Sequence, residues 1–130
     1  MMNKGCPVGI GCDLASVSEI ERLDRDTSGA FVRSTFSARE RAEADTSDIY
    51  AYYAGRFAAK EAVFKAIAPL LGNEKFDFRI VETLRRADGS PYVFVSDELR
   101  TVMERAGVEK IMVSISKDGG FALAFAEAVN

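Results

Sequence analysis

The chain is predicted to be an α+β protein in which an antiparallel sheet wraps on one long central helix, and three observations carry that prediction. From about Asp48 to Ala68 the apolar residues recur at helical period, yet the segment lacks the broad polar face of an ordinary surface helix. The second half alternates at period two, in runs separated by glycine-bearing turns. No linker or internal repeat divides the chain, so residues 1–130 are read as one domain.

Each element has its own signal. Pro7 to Asp13 is a short apolar run interrupted by glycine, predicted as a strand ending at Asp13. Ser16 to Arg25 reads as a helix with Val17, Ile20 and Leu23 inward and Glu21, Arg22 and Arg25 outward; Ser16 and Glu19 have capping-box spacing. Thr27 to Gly29 breaks it. A short helix from Ser37 to about Ala44 repeats that spacing with Ser37 and Glu40, and the long helix then runs until Pro69 prevents its continuation. Within it Tyr53, Phe57, Phe64 and Ile67 form an aromatic and aliphatic stripe, while Gly55, Ala59, Ala62 and Ala66 form a small-residue stripe roughly opposite. Phe76 to Leu84 alternates as a strand, and Ala87-Asp88-Gly89-Ser90 turns into Tyr92 to Val95. Ser96 to Ala106 is an amphipathic helix closed by Gly107. A second hairpin finishes the chain, with Ile111, Val113 and Ile115 alternating before Asp118-Gly119-Gly120 and Phe121, Leu123 and Phe125 alternating after it.

Composition narrows the function classes. With 48% hydrophobic and 28% charged residues the chain reads as soluble and globular, and a net charge of −3 argues against a broad nucleic-acid surface. No apolar run approaches the roughly 18 residues of a membrane span, and Met1 to Gly11 lacks the apolar stretch of a signal peptide, so a cytoplasmic location is expected. Cys6 and Cys12 have no metal-ligand spacing and are expected as reduced, partly buried thiols. There is no histidine, which removes every Ser-His and Cys-His mechanism and leaves carboxylates, lysines or a metal.

Two patches remain as candidates for chemistry. Asp13 closes Gly9-Ile10-Gly11-Cys12-Asp13, whose glycines permit close backbone approach, and Glu61 and Lys65 lie one turn apart on the flank of a mostly buried helix. Two carboxylates brought together make a hard-oxygen site for magnesium, and a lysine beside it binds phosphate or, with its pKa lowered by burial and the metal, accepts a proton. Plainer readings stand beside these. Glu61 before Lys65 is also the favourable order for a helix ion pair of about 0.2–0.5 kcal/mol. Asp13 also suits the N-cap of the next helix, the glycines a bulge, Lys60 a stem laid along apolar surface with its ammonium in water, and Arg22, Arg25 and Arg33 a solvated face.

Gly9-Ile10-Gly11-Cys12-Asp13-Leu14, followed by Gly55-Arg56-Phe57-Ala58-Ala59-Lys60-Glu61-Ala62-Val63-Phe64-Lys65-Ala66, resembles the two signatures of the holo-(acyl-carrier-protein) synthases, the short members of the 4′-phosphopantetheinyl transferase superfamily. Phe36-Ser37-Ala38-Arg39-Glu40 looks like the family's Phe-(Ser/Thr)-x-x-Glu segment, Gly89-Ser90-Pro91-Tyr92 like its Gly-x-Pro turn, and Val113-Ser114-Ile115-Ser116 like its last strand. The resemblance implies transfer of the 4′-phosphopantetheine arm of coenzyme A to a serine of an apo acyl carrier protein, releasing adenosine 3′,5′-bisphosphate, as in fatty acid biosynthesis. It implies magnesium on Asp13 and Glu61, with Lys65 on the phosphates as a candidate proton acceptor; Lys60, Pro91 and Lys117 are the further expected contacts to coenzyme A. It also implies a homotrimer with active sites between protomers, the small-residue stripe packing across that interface, and an acidic carrier held by Arg22 and Arg25.

The pattern departs from the family in three places. Where many members have Asp-Ile-Val-Glu-Ile-x-Arg, this chain has Ser16 at the acidic position and Glu19 at the basic one. Ala68-Pro69-Leu70-Leu71-Gly72 replaces a Gly-Thr-Gly loop, and Lys117 stands where many relatives have histidine. An ammonium meets a phosphate as a point charge but does not copy a neutral imidazole.

Overall fold

The computed structural model describes residues 4–44 and 47–130. Met1 to Asn3, the start of the segment read above as lacking a signal peptide, lie outside the described residues. In chain order the elements are β1 (Pro7–Ser16), α1 (Val17–Asp26), α2 (Ala30–Thr35), α3 (Ala38–Glu43), α4 (Ile49–Ile67), β2 (Glu82–Arg85), β3 (Pro91–Phe94), α5 (Asp97–Ala106), β4 (Lys110–Asp118) and β5 (Phe121–Val129). The expected architecture is present: α4 lies against an antiparallel three-stranded sheet of order β1-β5-β4, and β2 and β3 form a separate two-stranded hairpin. Among the described residues, no helix is long and apolar enough to cross a membrane.

Helix α4 is buried nearly all round, with only Ile49 and Lys65 exposed along its length. Its small-residue stripe does not wait for a second protomer, as the resemblance implied. Ala59, Ala62 and Ala66 are buried within the chain itself, against the alanines of β5, of which Ala122, Ala124, Ala126 and Ala128 are all fully buried. The approach is closest at β1, where a Cβ at Gly11 would collide with the Ala62 carbonyl oxygen and one at Gly9 with that of Ala66. Those two glycines are therefore a steric requirement of helix against strand. The larger stripe packs on the other side: Tyr53 meets Phe36 with tilted rings (centroids 4.7 Å apart), Phe57 meets Phe78 edge to face (5.7 Å) and Phe64 meets Phe76 with tilted rings (5.0 Å).

Those aromatic contacts explain one failed expectation. Phe76 to Leu84 is not a continuous strand: Asp77 caps a 3₁₀ turn over Phe78–Ile80, and only Glu82–Arg85 pairs as β2. Packing on α4 outweighs the period-two pattern. Three boundaries also shift. β1 runs on to Ser16, with a register irregularity between Pro7 and Gly9, and Ser16 rather than Asp13 caps α1 by accepting from the Glu19 N–H. Pro69 ends the α-helix but sits in a 3₁₀ turn, Ala68–Leu71, that prolongs it. Helix α2 was not foreseen; its first-turn N–H groups are held by partners from α1 and its end, Phe31 by Thr27 Oγ1 at 2.9 Å and Val32 by Asp24 Oδ1 at 3.2 Å. The capping box of Ser37 and Glu40 is complete. Both thiols are free, Cys6 half-buried but Cys12 exposed.

In β5 the alanines face α4 and the larger residues face away. Phe121, Leu123 and Phe125 are 43–48% exposed, with Ile10 (64%) and Leu14 (61%) beside them on β1. The outer side of the sheet is therefore an apolar face without a partner in the single chain.

Candidate active site

Strand alternation sets Asp13 on the side of β1 that faces α4, in line with Gly9 and Gly11. Because the glycines bring the two backbones close, Asp13 reaches the flank of α4 on which Glu61 and Lys65 lie. The Lys65 ammonium donates to Asp13 Oδ1 at 2.9 Å and to the Cys12 carbonyl at 3.3 Å. Lys65 thus pairs across the fold with Asp13, and no ion pair joins it to Glu61 among the described residues. Burial, then the charge of Asp13, pushes the Glu61 carboxyl above the ordinary carboxylate range, with Lys65 partly offsetting the rise. Three residues singled out from the sequence thus meet at one place.

The chemistry of that place follows. A carboxyl whose ionised form is disfavoured by burial and by the charge of a neighbouring carboxylate suits a hard divalent cation, which relieves the repulsion. No group of three or more metal-ligating side chains gathers among the described residues. A magnesium ion here would take Asp13 and Glu61 and complete its shell from water and substrate phosphates, its usual habit in phosphoryl chemistry. Lys65 corrects the sequence reading in one respect. It is half exposed, and its hydrogen bond to Asp13 and that carboxylate's charge hold its pKa above the ordinary lysine value instead of lowering it. In this arrangement it is a cation and a hydrogen-bond donor.

Pro91 and Lys117 lie elsewhere but together, lining a cavity of about 440 Å³ with Tyr52, Gly55, Arg56 and Arg85. The Lys117 stem lies against Gly55. Burial and then the charge of Arg56 push its ammonium below the ordinary lysine value, with Asp48 opposing. Arg56 is 7% exposed, lies 4.9 Å over the Tyr52 ring and meets Glu43 at 3.3 Å, and its Nε is buried without a partner. Arg56 and Arg85 were not singled out as site residues; their convergence on Glu43 from α4 and β2 leaves no spacing signal in the sequence.

Lys60 stands apart from both groups. It is fully buried, its ammonium 2.7 Å from Glu40 and hydrogen-bonded to the Val81 carbonyl. It neither reaches water nor is free to meet a ligand's phosphate, so both sequence readings of it fail. Burial depresses its pKa and the neighbouring Glu40 opposes the fall. Arg22 and Arg25 are on the outer side of α1 but within ion pairs, Arg22 with Glu19 and Asp26, Arg25 with Glu21.

Comparison with known proteins identifies the family and agrees with the fold. Residues 9–126 match the family model described as the 4′-phosphopantetheinyl transferase superfamily. The chain belongs to that superfamily. The holo-[acyl-carrier-protein] synthase of Desulforudis audaxviator is 37% identical over 123 residues, covering 94% of this chain and 92% of the relative. That of Burkholderia pseudomallei is 36% identical over 129 residues, with 92% and 88% covered. Among solved structures, the Neisseria meningitidis holo-[acyl-carrier-protein] synthase superposes with a TM-score of 0.82 at 31% identity over 92% of this chain and 96% of that one. The Helicobacter pylori enzyme in complex with coenzyme A superposes with a TM-score of 0.77 at 28% identity, with 92% and 98% covered. These relatives group the chain with the holo-(acyl-carrier-protein) synthases, and it is a transferase of that class.

Proposed function

We propose that the chain moves the 4′-phosphopantetheine arm of coenzyme A onto a serine hydroxyl of an apo acyl carrier protein, depends on magnesium at Asp13 and Glu61, and releases adenosine 3′,5′-bisphosphate. The observation that carries this reading is the convergence of Asp13 from β1 with Glu61 and Lys65 from α4. Asp13 and Glu61 would hold a magnesium ion, which would supply charge neutralisation at the diphosphate of coenzyme A. Lys65 donates to a phosphate oxygen as charge builds on it. The serine oxygen forms its bond to the phosphorus bearing the pantetheine arm while the bridging P–O bond breaks in line. The electron pair leaves with adenosine 3′,5′-bisphosphate, and the serine proton passes to water hydrogen-bonded at Glu61. Lys65, already protonated, is the electrostatic partner and not the base.

Pro91 and Lys117 complete the coenzyme A site from a second protomer. Asp13 is on β1 and Lys117 on β4, the two edges of the β1-β5-β4 sheet, about 10 Å apart across the strands. The apolar outer face of that sheet supports assembly into a homotrimer with each active site between two copies. Leu123→Glu is expected to leave a folded monomer by light scattering, with transfer lost; an unchanged assembly mass would remove the sheet face from the interface. Lys117→Ala is expected to raise the KM for coenzyme A about tenfold with kcat little changed, the worth of a charge-assisted hydrogen bond. Steady-state kinetics check it, and an unmoved KM would take Lys117 out of the binding site.

The whole reading is tested by intact-mass analysis of several apo carriers incubated with the protein, coenzyme A and magnesium. Each accepted carrier gains the mass of one phosphopantetheinyl group, and the gain requires the metal. Binding of coenzyme A in calorimetry without any such gain would instead make the chain a non-catalytic binding module.

A further inference from the structure

We propose that helix α1 selects against uniformly acidic carriers, with Glu19 and Asp26 as specificity-determining residues, so that the preferred carrier presents lysine or arginine among the acids flanking its serine; this rests on the transfer reading above. β1 carries the chain from Asp13 to Ser16, the N-cap of α1, so the helix begins about 10 Å along the strand from the carboxylate pair. It is fixed there by the Tyr50 hydroxyl of α4, which donates to Asp24 at 3.0 Å. A protein delivering a serine to Asp13 and Glu61 covers roughly 800 Å² of this chain's surface and so comes to rest on α1.

The outer side of that helix is not basic. Glu19, Glu21 and Asp26 stand there against Arg22 and Arg25, while Asp24 is used internally by Tyr50 and the Val32 N–H. Arg22 lies between Glu19 and Asp26, the latter at 3.1 Å, and Arg25 lies 2.8 Å from Glu21. Arg33, on the next helix, is folded onto the Ser28 carbonyl at 3.3 Å. Exposed ion pairs of this kind are worth at most about 1 kcal/mol and exchange partners freely, so the arginines are not locked. What opposes an acidic partner is that any carboxylate approaching Arg22 also meets Glu19 and Asp26. Like charges facing each other across an interface slow encounter and weaken the complex. A carrier surface of mixed sign meets no such penalty, because its own cations fall opposite Glu19, Glu21 or Asp26.

The test uses one apo carrier with an acidic helix beside its serine and a second version with two of those acids changed to lysine, each assayed with the wild-type protein and with Glu19→Gln/Asp26→Asn. The wild-type protein is expected to show a carrier KM about fivefold lower for the lysine-bearing version, and the double variant to reverse the preference. The KM for coenzyme A stays fixed in both, which a merely structural effect of the substitutions would not ensure. A wild-type preference for the acidic carrier, or a carrier ratio unmoved by the double variant, overturns the inference. Absence of transfer to every carrier overturns the transfer reading itself and this inference with it.

Discussion

Glu61→Gln is expected to lower phosphopantetheinyl transfer about a hundred- to a thousandfold, the worth of several kcal/mol of charge stabilisation lost with one of two magnesium carboxylates. The fold should not suffer. In the metal-free protein burial and Asp13 raise the folded pKa of Glu61 above its unfolded value. A carboxyl shifted that way contributes stability that is fully present below the unfolded pKa and is lost as pH rises through the folded one. At neutral pH the ionised side chain therefore burdens the fold, and the glutamine variant is expected to melt no lower than wild type without magnesium. Intact-mass assays and thermal melts together separate the two effects. Full transfer by the variant would remove Glu61 from the metal site, and a large drop in melting temperature would recast it as a structural residue.

Lys60→Met, one residue earlier, is expected to do the reverse: a large loss of stability, about 3–5 kcal/mol in urea unfolding, from leaving Glu40 buried and uncompensated. Glu40 is fully buried, and it accepts from the Ser37 N–H at 3.0 Å and the Thr83 N–H at 3.1 Å as well as facing Lys60. Through it α3, α4 and β2 are tied at one point. The double variant Lys60→Met/Glu40→Gln removes both charges and should recover part of the loss, since the glutamine keeps an acceptor for the capping bond. A loss below about 1 kcal/mol for Lys60→Met would show that the Glu40 carboxylate is stabilised without its ammonium.

These adjacent residues mark what was legible in the chain. Helix α4 could be read as doubly packed because a helix with aromatic residues on one side and glycine and alanine on the other has no face left for water. The hairpins could be read because Asp88-Gly89 and Gly119-Gly120 supply the positive φ that tight turns need, as Gly89, Gly119 and Gly120 show. The motif resemblance identified Asp13, Glu61 and Lys65, and the structure brings them together. Lys60 was misread because its partner Glu40 is remote in sequence and already had a sufficient local explanation as a capping residue. Arg22 and Arg25 were legible as an outward helical face, but which acids neutralise them depends on side-chain geometry that spacing alone does not fix.

By itself the sequence determined the period of the long helix, of α1 and α5 and of the final hairpin, and the glycine-bearing turns, because these depend on neighbours within a few positions. Only the tertiary structure decided which charges meet. The i,i+4 spacing of Glu61 and Lys65 favours a local pair, yet Lys65 bonds to Asp13, 52 positions away, because Gly9 and Gly11 let β1 come that close to α4. It likewise decided which face of β5 is inside. Alternation permits either set, and the alanines win because α4 lies too near the sheet for Phe121, Leu123 or Phe125 to fit between them.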